Sequence, residues 1–396
     1  MAGLQPEQPK AVILGPYNGG LAVARTLIRR GVSVTALSGP ADAFTTRTRG
    51  AKGEVLPPLD DAREQWLERL RAEGDCVVLT GSDAVSELLA RERDQLPRVR
   101  SFETLDDAHL PLMSKAEMNG IADRTGVRRP RGFTVSTFAE LEGAAAELTY
   151  PAILKPTLSH LWRGLFGDDR VILADSSDEL VDAGREPIEA GLELIVGEYV
   201  PGGDDAVEEA ILVRDAEGRF PVAIGCRKIR QFPAGFGAAS LCETAPIPES
   251  MELAKRLLDE AGYVGVAGVE TKLHAETGEA YLLEVNVRIP TQWGLGDAAG
   301  ADSSWRLYAT LAGIPVDPEQ PPVRADVKLV FPELELRAAV RRMRNRNGEG
   351  PGLFARLRSW RGAGDMGIFD WRDPGPVIER TRTAAAVRLK RKKQPK

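Results

Sequence analysis

The sequence predicts an α/β domain followed by an α+β region, closed by a basic C-terminal stretch. Three observations predict it. Apolar runs alternate with amphipathic helical stretches up to about residue 105. From about 106 to 315, short apolar runs crowd together as hairpin-like neighbours. The Pro-rich stretch "GIPVDPEQPPV" then introduces an Arg-rich end. With 396 residues the chain is too long for one compact core and suits two or three domains.

In the first region, residues 1–105, the runs "AVILG", "VSVTAL" and "CVVLTG" separated by helical stretches imply a parallel sheet with crossover helices. Its opening "VILGPYNGG", Val12 to Gly20, is followed by "LAVARTLIRRG". That is how a Rossmann-like dinucleotide-binding unit begins. Such a unit wants G-x-G-x-x-G and an acid at the end of the second strand. Here the glycines are Gly15, Gly19 and Gly20, and Tyr17 stands where the second glycine belongs. The second strand ends in Ser38 and Gly39, with no acid. The fold signal survives and the NAD signal fails, which leaves an NAD(P)-dependent oxidoreductase as the alternative lacking its fingerprint. The turn is expected either to be a plain βα connection or to line a small-molecule pocket, since helix N-termini favour anions.

In the second region strands are expected at "YPAILKP", "RVILA", "LELIVGEYV", "EAILVRD" and "AYLLEVNV", with helices near 114–125, 178–190 and 249–262. This mixture implies antiparallel sheets. The third region, 316–396, is expected as a C-terminal extension. From Phe331 to Lys396 it holds 17 Lys+Arg against 7 Asp+Glu, although the whole chain carries a net charge of -6. The tail "VRLKRKKQPK" reads as a frayed, solvated terminus. Binding to nucleic acid is not expected, because no aromatic residue is interleaved to stack on bases.

Composition excludes other classes. No run of eighteen apolar residues exists, so no membrane span is expected. "MAGLQPEQPK" lacks the apolar core of a secretory signal and reads as a disordered leader. Cys76, Cys226 and Cys242 are odd in number and widely spaced, which argues against disulfides and for a reducing cytoplasm. His109, His160 and His274 form no zinc-binding pair.

The densest polar signal is "GVAGVETKLHAETGEAYLLEVNVRIP", Gly265 to Pro290. It reads as two strands joined at Thr277-Gly278. The first carries Glu270. The second carries Glu284, Asn286 and Arg288 at period two, on one face. Polar side chains inside an apolar strand cost free energy unless something satisfies them. Glu270, Glu284 and Asn286 offer only oxygen ligands, which suits magnesium held by few protein ligands plus phosphate. The competing reading is a surface strand with a cross-strand Glu–Arg pair. Lys155, closing "YPAILKP", suits a phosphate contact or a snorkelling lysine. "LELIVGEYVPGGDDAVE" offers exposed backbone around Glu198, Tyr199 and Val200 for an adenine, with an acid beyond for ribose.

In this order the motifs resemble the ATP-grasp superfamily, specifically its carboxylate–amine ligases, over about residues 11 to 315. The ordered set is a Rossmann-like preceding domain, Lys115 in "LMSKAEMNGIADRTGVRRP", Lys155, the Glu198 hinge, Glu270 and the E-x-N-x-R strand. Val287 replaces the proline usual after the asparagine. The resemblance implies a two-lobed ATP-grasp domain, 106–195 and 196–315. It implies that Lys115 and Lys155 hold the α/β-phosphates. Glu198 with the Tyr199-Val200 backbone would frame adenine, and Asp205, or else Asp204 or Glu208, would meet the ribose. Glu270, Glu284 and Asn286 would hold two magnesium ions, with manganese as a substitute. Arg288 would meet the γ-phosphate or the substrate carboxylate. "GCRKIRQFPAGFGAASLCET" resembles the basic segment of the same ligases. It offers Arg227, Lys228 and Arg230, unranked, with strand alternation placing Lys228 and Arg230 together and Arg227 opposite. The loop "TLSHLWRGLFGDD" is expected to close over ATP. The implied reaction joins a small carboxylate to an amine, amino acids or small peptides, through an acyl phosphate, in a cytoplasmic enzyme for which a homodimer is allowed. A non-catalytic nucleotide-binding protein is the remaining alternative, and it leaves the oxygen-ligand strand unexplained.

Overall fold

Three sheets follow one another along the chain. A computed structural model describes residues 8–15, 17–105, 107–156, 171–344 and 350–393. The first sheet contains β1 (Lys10–Leu14), β2 (Val34–Ser38), β3 (Ala51–Val55), β4 (Cys76–Thr80) and β5 (Val99–Arg100). Its order is β3-β2-β1-β4-β5 and every pair is parallel. β2 and β4 are buried throughout, as expected of strands covered on both faces by crossover helices. β3, "AKGEV", escapes a reading by apolar pattern because it is an edge strand with a polar, exposed face.

The second sheet contains β6 (Gly132–Val135), β7 (Ala152–Pro156), β8 (Ile172–Ala174) and β9 (Leu194–Glu198), antiparallel in the order β6-β9-β7-β8. Helices Phe138–Glu147 and Ser177–Glu189 cover one face. The first of these has a full capping box, Thr137 with Glu140.

The third sheet contains β10 (Val207–Arg214), β11 (Val222–Phe232), β12 (Ala238–Thr244), β13 (Gly265–Leu273), β14 (Ala280–Asn286), β15 (Lys328–Val330) and β16 (Ala363–Asp365). Its order is β14-β13-β10-β11-β12-β15-β16. One face packs on helix Pro248–Glu260 through Ala210, Leu212, Ala267 and Val269. The other packs through Ile211, Val213 and Ile224 against β1 and helix Asn18–Arg29 of the first sheet. The expected helices near 114–125, 178–190 and 249–262 appear as Lys115–Thr125, Ser177–Glu189 and Pro248–Glu260.

The stretch from 316 onward is built into this body. β15 and β16 extend the third sheet. Glu335, fully buried in helix Pro332–Arg344, accepts hydrogen bonds from Arg230, Ser240, Arg356 and the Trp360 indole. Asp373 pairs with buried Arg25 of the first domain at 2.8 Å. The basic tail, expected to fray, continues as backbone helix from Gly375 to Lys393. The leader Met1–Glu7 and the loop Thr157–Asp169 lie outside the described residues. All three cysteines are buried and free. No described helix is long and apolar enough to cross a membrane.

Candidate functional site

A cavity of about 1000 Å³ opens between the second and third sheets. Its floor is a cross-strand row of carboxylates. Glu209 of β10 is the register partner of Glu270 on β13, and Glu270 is the partner of Glu284 on β14. Direct partners point to one face of a sheet, so three acids line up. Asn286 continues that face opposite Gly268. A side chain at Gly268 would place its Cβ 2.4 Å from Glu209 Oε1, so this glycine is what admits Glu209.

Cations stand around the row. Lys228 Nζ lies 2.7 Å from Glu270 Oε2 in a nearly buried pair. Arg288 Nε lies 2.7 Å from Asp83 Oδ1, and its Nη2 donates to Asn286 Oδ1 at 3.1 Å. Lys115, just after the Ser114 cap of its helix, and Lys155, on β7, face the acids from across the cavity.

The electrostatics are unbalanced on both sides. Enclosure by protein, followed by the like charge of Glu270, pushes the Glu284 carboxyl up. Burial and then Glu270 push Glu209 up to about 7, and its Oε2 has no hydrogen-bond partner among the described residues. Enclosure and then the like charge of Lys155 pull the Lys115 ammonium down. Glu284 and Lys115 both open into the cavity and yet are surrounded by protein. Lys228 differs: burial opposes its charge, but Glu270 together with Glu209 and Cys226 outweighs burial and its affinity for the proton rises. Acids that repel one another face lysines that repel one another, across a gap. Such a site is relieved by a ligand carrying both signs.

No family model matches the chain. It is 24% identical over 361 residues to the carbamoyl phosphate synthase large chain, N-terminal section, of Methanopyrus kandleri, covering 82% of this chain and 61% of that protein. It is 28% identical over 340 residues to a formate-dependent phosphoribosylglycinamide formyltransferase of Xanthomonas oryzae pv. oryzae, covering 80% of this chain and 77% of the relative. Among solved structures, an ADP complex of N5-carboxyaminoimidazole ribonucleotide synthetase superposes with a TM-score of 0.64 at 18% identity over 87% of each chain. An L-amino acid ligase from Bacillus licheniformis gives 0.60 at 18% identity, covering 81% of this chain and 79% of that one. The biotin carboxylase domain of Hydrogenobacter thermophilus 2-oxoglutarate carboxylase, solved with MgADP, gives 0.59 at 19%, covering 81% and 74%.

The chain has the ATP-grasp fold.

Within this fold Lys115, Lys155, Glu198, Tyr199, Val200, Lys228, Glu270, Glu284, Asn286 and Arg288 all line the same cavity. The Glu198 carboxylate is engaged from the side, accepting the Arg131 amide at 3.0 Å and the Thr149 hydroxyl. Tyr199 lies under Lys272, whose Nζ is 4.3 Å from the ring centroid.

Three expected residues lie elsewhere. Arg230 does not share a face with Lys228. The strand register shifts between the two, and this bulge turns Arg230 to Glu335 at 2.6 Å and Ser359 at 2.7 Å. Arg227 points away and pairs with Glu243 at 2.6 Å. Asp205 does not line the cavity, and neither do the other ribose candidates. Asp204 accepts hydrogen bonds from the Gln231 amide at 2.8 Å, the Gln231 side chain at 3.0 Å and the Gly235 amide at 2.8 Å. Glu208 is buried on the far face, accepting from Ser250 at 2.6 Å. The Glu–Arg pair of the surface-strand reading is also absent among the described residues, because Arg288 is held by Asp83.

Glu209, Lys272, Asp83 and Gln231 line the cavity as well, and the motif reading passed over them. Glu209 left a signal: it stands at period two with Ile211 and Val213, a polar residue on an apolar face.

The opening glycine turn has a use other than the expected pocket. A Cβ at Gly19 would sit 2.1 Å from the Pro290 carbonyl oxygen. The Ile289 amide donates to the Thr80 carbonyl at the end of β4, at 3.0 Å. Residues 288–290 thus fill the switch point of the first sheet, between β1 and β4, where doubly wound folds commonly bind a ligand.

Proposed function

We propose that this chain is an ATP- and magnesium-dependent ligase that phosphorylates a substrate carboxylate and transfers the acyl group to an amine, forming an amide or peptide bond. The observation that carries the reading is the opposed charge across the cavity: Glu284 and Glu209, beside the Lys228-paired Glu270, on one side, and Lys115 and Lys155 on the other. A magnesium–polyphosphate ligand presents a cation to the first set and anionic oxygens to the second. The similarity to an L-amino acid ligase and to a formate-dependent transferase supports a small carboxylate as substrate.

The residues present fit a magnesium site. The Glu284 carboxylate has no hydrogen-bond partner among the described residues. The same residues hold no cluster of three His, Cys, Asp or Glu side chains able to cage a metal unaided. A hard cation that takes part of its shell from phosphate and water requires no such cage. Glu270, Glu284 and Asn286 would hold it, and it would neutralise phosphate charge.

The chain's own groups do the rest. Lys115 and Lys155 would bind the α/β-phosphates, and the Glu198–Val200 edge would frame the base. Lys228 or Arg288 would meet the transferred phosphoryl group, with Arg288 also placed for a carboxylate. The carboxylate oxygen attacks the γ-phosphorus and ADP leaves. The amine then attacks the acyl carbon and phosphate leaves. Catalysis is positioning and charge cancellation, with no side-chain nucleophile. In domain terms, 1–105 would precede an ATP-grasp pair, 106–195 and 196–315, and 316–396 would brace them.

Calorimetry with ATP in EDTA and in magnesium tests the reading. Binding is expected only with the metal present, and equal affinity in both would sink the assignment. Phosphate release over pairs of small carboxylates and amines then identifies the substrates.

A further inference from the structure

Behind the strand end that carries Asn286 and Arg288, three side chains meet out of solvent, and none of them lines the cavity. They are Ser86 of helix Asp83–Arg91, Glu103 of helix Phe102–Leu105 and His109 of helix His109–Met113, exposed by 0%, 4% and 0%. Ser86 Oγ lies 2.8 Å from His109 Nε2, 3.2 Å from Glu103 Oε1 and 3.3 Å from the Val287 carbonyl oxygen. Val287 sits between Asn286 and Arg288.

Counting protons decides what this arrangement requires. A hydroxyl has one proton and two lone pairs. The Val287 carbonyl and an ionised Glu103 can both only accept, and Ser86 has one proton for the two. With Glu103 protonated that proton goes to Val287, and His109 and Glu103 both donate to Ser86. For His109 this is the neutral Nε2–H tautomer. Burial pulls its imidazole down to about 4, so it stays neutral at any ordinary pH. Its Nδ1 has no partner among the described residues and carries a lone pair. For Glu103, donation requires the protonated acid. Burial pushes its carboxyl up to about 7, against the pull of its own amide, Ser101 and Ser86.

No opposite charge faces Glu103 among the described residues. From the packed helices come Ser86, His109 and Asp83, the last paired with Arg288. From β5 comes Arg100, which donates to Ala312 instead. From β13 come Glu270, held by Lys228, and Lys272, held over Tyr199. The Tyr263 ring stands 6.1 Å from His109. An ionised Glu103 would accept where the node needs a donor. Ser86 would then be drawn from Val287.

We propose that Ser86, His109 and Glu103 form a buried positioning node: with Glu103 protonated, Ser86 holds the Val287 carbonyl and fixes the strand end bearing Asn286 and Arg288, and ionisation of Glu103 loosens that strand end. The consequence for turnover rests on the ligase reading, whereas the node itself does not. A carboxyl raised by folding contributes stability that is fully present below its unfolded value, about 4.5, and is lost as pH rises through about 7.

Hydrogen exchange of the full chain tests the node without nucleotide or substrate. The reporter is the segment 287–292, which includes the Ile289 amide, with intrinsic exchange rates corrected for pH. Wild-type protection there should fall about tenfold between pH 6 and pH 8, as expected for one group titrating near 7. Glu103→Gln keeps the shape and the donor, so its protection should match wild type at pH 6 and stay flat. Ser86→Ala should lower protection in this segment at both pH values and leave the second sheet unchanged. A flat wild-type profile would overturn the proposal even if Glu103→Gln failed to fold. An identical pH response in wild type and Glu103→Gln would do so as well. Absence of ATP binding would count against the ligase reading alone.

Discussion

Glu284 is the residue on which the proposed chemistry of the cavity turns. It shares a cross-strand pair with another carboxylate, stands across from Lys155, and is not neutralised by Arg288, which Asp83 and Asn286 already hold. A carboxylate placed this way is costly without a ligand and useful with one. Glu284→Gln keeps the shape and removes the charge. If this acid is a ligand of the phosphate-bound cation, the change should cost on the order of 3–4 kcal/mol at the transition state, roughly a hundredfold to a thousandfold in rate. If it only decorated a wet surface, the loss would be about 0–1 kcal/mol. Turnover measured beside thermal melting separates the two. The expected outcome is a slow enzyme that melts no lower than wild type, because relieving like-charge repulsion does not weaken the sheet.

At the scale of elements, the strand β14 matters beyond its own sheet. Past Asn286 the chain leaves the third sheet and inserts against the first, where Ile289 bonds to Thr80 and Pro290 presses on Gly19. The segment next to the carboxylates is thereby locked to the Rossmann-like domain. Gly19→Ala probes that lock. An alanine in a helix gains about 1 kcal/mol over glycine from propensity alone. The added methyl would meet backbone oxygen at 2.1 Å, with Ile289 Cγ2 at 2.9 Å. Backbone cannot swing aside as a side chain does, so overpacking of about 1–3 kcal/mol or more should win. Denaturant titration is expected to show net destabilisation. A more stable variant would mean that the two domains separate there without cost.

For the whole molecule, the C-terminal stretch touches both the third sheet and the helix that follows β1. Glu335 gathers Arg230 of β11, Ser240 of β12 and Arg356 of the following helix, while Asp373 reaches back to Arg25. Burial works against ionisation of Glu335, and the two arginines and Ser240 reverse the balance, leaving its carboxyl below the usual range. Removing one member of a buried charge cluster strands the others, at a cost of about 3–5 kcal/mol. Glu335→Ala should therefore lower the melting temperature of the chain as one cooperative unit. Calorimetry showing a separate early transition, with the main one unmoved, would mean that this stretch is independent of the sheets it touches.

The sequence by itself determined the order of the sheets, the failure of the dinucleotide fingerprint and the polar residues placed inside apolar strands. These are local facts: periodicity, glycine spacing and the mismatch between a charged side chain and its apolar neighbours can all be read along the chain. Tertiary structure alone decided three other things. It assigned Lys228 to the cavity and Arg230 to Glu335, because a one-residue bulge reverses the face of everything beyond it and leaves no mark in composition. It brought Glu209 beside Glu270, because cross-strand partners are chosen by register and not by sequence distance. It filled the switch point with residues 288–290, so that glycines resembling a cofactor cradle became the seat of a distant backbone carbonyl. Where a side chain points is set by pairing between strands, and pairing is a property of the assembled sheet.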